Sequence, residues 1–196
     1  IKAALKGFSL GEFKPEFPGV AEPRTGKSMG ESCEDMAKQW QIRREDQDLL
    51  AYESHQKAAA AYARGFYSDL VMPLRGLDKD NILRPDTTLE KLATLKPAFD
   101  KRSGNGTLTA GNSTNLSDGA SAALLSSEAW AQANGKEIQA YLVDAQVAAV
   151  DFVAGEGLLM APAWAVAQLL KRNNLKLQDF DFYEIHEAFA AQVLCT

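Results

Sequence analysis

Two histidines and two cysteines are all that the 196 residues contain. His55 and His186, like Cys33 and Cys195, stand too far apart for the short spacings that mark metal sites, so no metal centre is expected. So few thiols build no disulfide framework, and free cysteines suit a reducing compartment. No apolar run approaches the ~20 residues that cross a bilayer as a helix. No basic start followed by an apolar stretch marks a secretory leader. An excess of positive charge is missing as well: 21 Lys and Arg against 26 Asp and Glu leave a net charge of −5. General nucleic-acid affinity needs clustered cations, so that class is excluded, although a few local cations would serve one phosphate ligand. The sequence opens on Ile1 without a methionine, which suggests a truncated product. Neither an internal repeat nor a low-complexity segment is visible.

What is present is ordinary in bulk. Hydrophobic residues make up 46% and charged residues 24%, the composition of a soluble globular protein. The length fits one large or two small domains, enough to bury roughly 70% of the unfolded surface. Residues 1–28 read as irregular, because Pro15, Pro18 and Pro23 with Gly11, Gly19 and Gly26 interrupt any regular element. From Met29 the pattern is helical, with Ser32 and Asp35 as a candidate start and Met36, Trp40 and Ile42 as a rough apolar stripe. A second helix is expected over 45–65, closed by Gly65. Leu70-Val71-Met72-Pro73 reads as a short extended piece. A third helix is expected over 88–95, ending ahead of Pro97.

After Asp100 the character changes. Small residues and Gly104, Gly106 and Gly111 precede an apolar run at 120–125. A helix over 128–134 follows, closed by Gly135, and then an extended stretch over 138–150. A helix after Pro162, a short strand at 181–185 and a helix over 187–194 complete the pattern. Alternating strands and helices from residue 119 point to an α/β layer, with 29–97 as a mostly helical insertion.

Three segments carry a family resemblance. The first runs from Lys96-Pro97-Ala98-Phe99-Asp100 through Gly106-Thr107-Leu108-Thr109-Ala110-Gly111-Asn112 to Leu116-Ser117-Asp118-Gly119-Ala120. The second is Gly157-Leu158-Leu159-Met160-Ala161-Pro162-Ala163, and the third His186-Glu187-Ala188-Phe189-Ala190-Ala191-Gln192. With Arg44-Glu45-Asp46-Gln47-Asp48 and Ser54-His55-Gln56-Lys57-Ala58 in support, the chain resembles the thiolase family (3-ketoacyl-CoA thiolases, acetyl-CoA C-acyltransferases) from about residue 26 to 196. His186, where most thiolases carry Asn, is similar to the branch that includes trifunctional-enzyme β-subunits.

The resemblance implies α/β architecture, a partial thiolase fold of α-β-α-β-α layers with a mostly helical inserted loop domain. It implies a loop domain over 1–117, the last strand and helix of the N-terminal half over 118–135, and the start of the C-terminal half over 136–196. The implied function is that of a fragment of a 3-ketoacyl-CoA thiolase, an acyltransferase that cleaves 3-ketoacyl-CoA with coenzyme A, or condenses two acetyl-CoA, through a cysteine acyl-enzyme. The nucleophilic cysteine and the later histidine and cysteine segments are expected outside this sequence, so the fragment alone is expected inactive. Cys33 and Cys195 lack the small-residue context of that nucleophile and read as packing residues. The alternative is a thiolase-like coenzyme A or lipid binder without thiolysis.

Residue by residue, the resemblance implies a catalytic donor at His186, whose imidazole N–H would stabilise an oxyanion as the usual amide does, and an orienting role for Glu187 at a helix start. It implies coenzyme A contacts at Arg84, Phe99, Ala110, Ser113, Thr114 and Leu116, and an acyl-end wall from Leu158, Ala188 and Phe189. Asn115 departs from the family's usual Gly or Pro. No resident cofactor and no metal are implied; coenzyme A is substrate. The implied partners are acyl-CoA, further copies of the chain in a dimer or tetramer, and the α-subunit of a trifunctional complex. The implied location is a bacterial cytoplasm or an organelle matrix.

Overall fold

The computed structural model describes residues 19–196; the irregular prolines and glycines at 11–18 lie outside the described residues. Six α-helices order the rest: α1 Met29–Gln39, α2 Arg44–Ala63, α3 Leu89–Ala93, α4 Glu128–Ala133, α5 Ala161–Asn173 and α6 Ala190–Cys195, with a 3-10 turn at Leu177–Asp179.

α1 begins one turn before the expected Ser32. Its cap is Ser28, whose hydroxyl accepts from the Glu31 amide while the Glu31 carboxylate accepts from the Ser28 amide, a complete capping box. Gly30, Cys33, Glu34 and Ala37 recur at helical spacing and are buried. The helix ends at Gln39, Gln41 takes a left-handed φ of 55°, and Ile42 donates back to the Ala37 carbonyl at 2.8 Å. Trp40 is therefore off the buried stripe and more than half exposed. α2 is 20 residues long, about 30 Å, and stops where Gly65 adopts φ 74°, the left-handed conformation that glycine reaches without penalty. α3 is capped by the Thr88 hydroxyl and ends ahead of Pro97. α5 carries its proline in the first turn and stops at Asn174 in the left-handed region.

The core joins these pieces. Cys33 and Ala37 of α1, Leu108 and Ala191 of α6 are fully buried together, with Ile42, Phe99, Leu159 and Phe189 packed around them. Gly30 is required here: a Cβ at that position would come within 2.1 Å of the Phe99 ring. α1 packs on α6, and α2 on both α3 and α6.

The strand expectations meet a different outcome. Among the described residues there is no ladder, only isolated antiparallel bridges at Ala21–Ser28, Leu74–Leu77, Pro97–Thr109 and Ser113–Phe189. Residues 71–73 follow a turn instead of forming a strand. Residues 120–125, 138–150 and 181–185 run without strand partners. Residues 144–146 are held instead by side chains of α5, Arg172 donating to Asp144 and Gln146 and Asn173 to Asp144, while Tyr141, Leu142, Val143, Val147 and Phe182 are mostly exposed. A ladder needs a second strand at about 4.8 Å, and sequences apolar on consecutive positions expect cover on both faces. The described surface lacks both. The last helix is also shorter than expected: α6 starts at Ala190 with Phe189 as its cap, so Glu187 lies three residues before the helix and not in its first turn. The total accessible surface is 15738 Å², against about 9100 Å² for a compact monomer of this mass.

Candidate functional site

An open cleft of about 470 Å³ lies between α2, the 82–95 segment and the 110–115 loop. Its α2 wall is Leu50, Ala51, Ser54 and His55, neighbours on one helical face. Opposite stand Ile82, Arg84, Thr87 and Lys91, and the floor is Ala110 to Asn115. Glu187 and Ala190 close one end.

Buried polar groups hold the floor. Glu34, 2% exposed, accepts from the Thr107 amide at 2.8 Å, the Thr107 hydroxyl at 2.9 Å and the Leu108 amide at 2.9 Å. Gln47, also buried, donates to the Thr107 hydroxyl at 3.0 Å. Arg44 donates to Asp48 at 2.7 Å and to the Leu92 carbonyl at 2.6 Å. Asn112 is the hub. Its Nδ2 donates to Asp48 at 2.9 Å and to the Thr107 carbonyl at 3.2 Å, and its Oδ1 accepts from the Thr109 amide at 2.7 Å. Buried polar groups must be paired, and this set pairs through one another. Gln47 Oε1 and Ser113 Oγ are the exceptions, buried with no partner among the described residues.

The floor is also tied to the 186–190 segment. The Ala190 amide donates to the Asn112 carbonyl at 3.0 Å, and the Thr114 amide to the Ala188 carbonyl at 2.8 Å. From the other side the Ser54 hydroxyl donates to Glu187 Oε2 at 2.7 Å. The floor stays thin at Gly111, where a Cβ would come within 2.5 Å of Leu95 and 2.6 Å of Leu92.

The expected residues divide. Arg84, Ala110, Ser113, Thr114 and Glu187 line this cleft. Arg84 turns one guanidinium nitrogen, Nη1, back onto the Asn81, Ile82 and Leu83 carbonyls at 2.8, 3.0 and 3.2 Å, and its amide donates to His55 Nδ1 at 3.3 Å. Phe99 and Phe189 meet edge to face, centroids 5.8 Å apart, in the core beneath. Ala188 and Leu158 are half-buried, and Leu116 is 99% exposed. His186 does not line the cleft. It borders a second, apolar groove of about 850 Å³ between α5 and 177–186, with Val166, Leu170, Phe180 and Tyr183. Residues that the sequence reading did not single out are Ser54, Asn112 and Lys91. Asn112 and Ser54 both sit inside quoted segments, but only the fold brings Ser54 to Glu187.

Arg84, Lys91 and Glu187 are the charged residues that line the cleft. Lys91 is paired with Asp86 at 2.9 Å and lowers that carboxyl's pKa, chiefly through this bond. The Cys33 thiol, on the core side, is pushed up to about 12, first by burial and then by Cys195 nearby. Among the described residues no group of three His, Cys, Asp or Glu could hold a metal ion.

A family model described as Thiolase, N-terminal domain matches residues 10–129, and one described as Thiolase, C-terminal domain matches 136–196. The curated 3-ketoacyl-CoA thiolase of Shewanella sediminis is 42% identical over 198 residues, covering 98% of this chain and 44% of the relative. That of Shewanella baltica (strain OS155) is 45% identical over 196 residues, covering 97% and 44%. Among solved structures, the crystal structure of the Bacillus anthracis acetyl-CoA acetyltransferase matches with a TM-score of 0.78 at 34% identity, covering 93% of this chain and 49% of that one. The chain thus spans less than half the length of the curated relatives it matches.

Proposed function

Because the chain belongs to the thiolase family, we propose that it supplies the coenzyme A-binding part of a 3-ketoacyl-CoA thiolase. The reading rests above all on the cleft. A floor of small residues at 110–114 is hydrogen-bonded to the His-Glu-Ala-Phe segment by two backbone bonds, and Arg84 and Lys91 stand across from it. A long, flexible pantetheine arm needs such a narrow, small-residue floor, and a nucleotide phosphate needs a guanidinium with free N–H groups.

In this reaction the thiol of coenzyme A takes the acyl group of 3-ketoacyl-CoA after the bond between its α- and β-carbons breaks. The products are acetyl-CoA and a shortened acyl-CoA. The acyl group is carried on a cysteine thiolate, and negative charge gathers on a thioester oxygen along the way. Within this chain Arg84 binds the nucleotide end, while Ala110, Ser113, Thr114 and Leu116 flank the pantetheine arm. Phe99 backs the pantetheine arm from the core, and Leu158, Ala188 and Phe189 shape the acyl end. His186, which borders the apolar groove beside the cleft, donates from that side to the developing oxyanion, and Glu187 orients its segment. The surface in excess of a compact monomer supports assembly with further copies and, in a trifunctional complex, with an α-subunit. Cytoplasm or organelle matrix is the proposed location.

The test is thiolysis of acetoacetyl-CoA and of a longer 3-ketoacyl-CoA by the protein that carries this chain, with coenzyme A binding measured in parallel by calorimetry. Turnover of either substrate, reduced at least a hundredfold by His186→Ala, is the expected result. Binding without turnover would replace the proposal with the non-catalytic binder, and neither binding nor turnover would end both readings.

A further inference from the structure

We infer that Ser54 is a positioning residue: its hydrogen bond to Glu187 fixes which side of the 186–190 segment faces the cleft. This rests on the thiolase reading above but assigns a residue outside the segments expected to touch substrate.

The segment is restrained unevenly. Its downstream part is fixed by main-chain bonds, Thr114 to Ala188 and Ala190 to Asn112. Its upstream part has no such bond among the described residues, and His186 makes no side-chain hydrogen bond there. The Ser54 hydroxyl to Glu187 Oε2, at 2.7 Å across 133 residues of sequence, is therefore the restraint on the free end. Ser54 is well suited to give it. It is half-buried on the cleft face of α2, and that helix is itself anchored by the buried Gln47 and Asp48 one to two turns earlier.

The consequence falls on the neighbour. Glu187 lines the cleft while His186 lines the apolar groove on the other side. Releasing Glu187 from Ser54 frees the segment to rotate, and the imidazole rotates with it. The bond is exposed to solvent, so its part is to bias the segment's rotation, not to hold it against a large force; its acceptor is a carboxylate, which makes it one of the stronger bonds of its kind. The bond reports on His186, not on the nucleotide-facing residues, which lie on the 82–91 segment and the 110–114 loop.

The experiment compares Ser54→Ala, Ser54→Thr, Glu187→Ala and the double variant in the thiolytically active protein that carries this chain. Ser54→Ala is expected to lower kcat about tenfold with KM for coenzyme A changed less than about twofold, since only an interaction that aligns the reacting centre is lost. Ser54→Thr, which keeps the hydroxyl, is expected to restore kcat to within about threefold. In the Glu187→Ala background Ser54→Ala is expected to add nothing, because the partner is already gone. An unchanged kcat in Ser54→Ala overturns the inference. So does equal loss in Ser54→Thr, an additive double variant, or a loss confined to KM for coenzyme A. A wild-type protein without thiolysis would instead sink the functional reading, which separates the two failures.

Discussion

Asn112→Asp is nearly isosteric and reverses one hydrogen bond at the hub of the cleft floor. In the native chain Asn112 Nδ2 donates to Asp48 Oδ1 at 2.9 Å and to the Thr107 carbonyl at 3.2 Å, with Asn112 and Asp48 2% and 4% exposed. The substitution sets a carboxylate oxygen against both acceptors. Two carboxylates at this separation cannot both stay ionised, so the pair must retain one proton. Holding a proton at pH 7 on a group whose unfolded pKa is about 3.9 costs about 4 kcal/mol, from about three units at 1.36 kcal/mol each. The unmet Thr107 carbonyl adds about 1 kcal/mol. The sign follows from proton counting. The variant's folded pKa lies above its unfolded value, so the folded state binds the extra proton and loses stability as pH rises. The difference in unfolding free energy between wild type and Asn112→Asp is therefore about 4–5 kcal/mol at pH 7. It shrinks by about 1.4 kcal/mol for each unit of acidification, to about 2 kcal/mol at pH 5. Urea unfolding of both proteins from pH 5 to pH 7.5 reads this directly, and taking differences removes every titration they share. A gap that stays flat across that range would refute the pairing of Asn112 with Asp48, as would a gap below about 1 kcal/mol at pH 7.

Gly30→Ala puts a Cβ within 2.1 Å of the Phe99 ring; overpacking of this kind costs about 1–3 kcal/mol, and Phe99→Leu in the same chain should recover part of it in urea melts. A loss below about 0.5 kcal/mol would show that Phe99 moves away freely. With its pKa pushed up to about 12 by burial and by Cys195, Cys33 should resist thiol reagents at pH 8 until the protein unfolds, whereas half-buried Cys195 reacts first. Equal labelling rates followed by mass spectrometry would contradict the packing of α1 on α6. Asn173 and Arg172 hold the Asp144 carboxyl at about 2. Because that folded value lies below the unfolded one, the contribution is present above pH ~4 and lost as pH falls toward ~2. The urea midpoints of wild type and Asp144→Asn should then differ by a constant amount above pH ~5 and converge in acid. A constant gap down to pH ~2 would argue against the contact.

The sequence exposed what depends on near neighbours and hid what depends on distant ones. Helix positions were legible because caps and stops are local. Gly65, Gly135 and Pro162 each act within one turn of themselves. The start of α1 was misread by one turn because two serines compete, and Ser28 wins only through its reciprocal bond with Glu31. The strands could be placed by apolarity but not paired, since pairing is a property of two segments. Residues 138–150 carry the right side chains but meet α5 side chains at 144–146 and no strand. The cleft divides in the same way. Arg84 and the 110–114 residues, named by the resemblance, line the cleft. Ser54 opens a quoted family segment but stands 133 residues from Glu187, and nothing on α2 says that its hydroxyl meets that carboxylate.

The separation of His186 from Glu187 is the most consequential of these differences. Adjacent in sequence, the two side chains border different spaces, one apolar between α5 and 177–186, the other polar against α2. A motif names both residues but says nothing of the rotation between them. That rotation is set by contacts with α2 and with the 112–114 loop. The loop is itself set by Asn112, Asp48 and Arg44, down to the carbonyl at the end of α3. The buried polar chain and the half-buried Ser54 therefore serve the same end. One fixes the height of the segment over the floor and the other fixes its turn. Loss of Asn112 should displace the whole segment and disturb both stability and coenzyme A affinity. Loss of Ser54 should leave stability and affinity nearly unchanged and lower turnover alone. Parallel losses in all three quantities for both variants would mean that the segment moves as a single rigid piece, with no separate rotation for Ser54 to control.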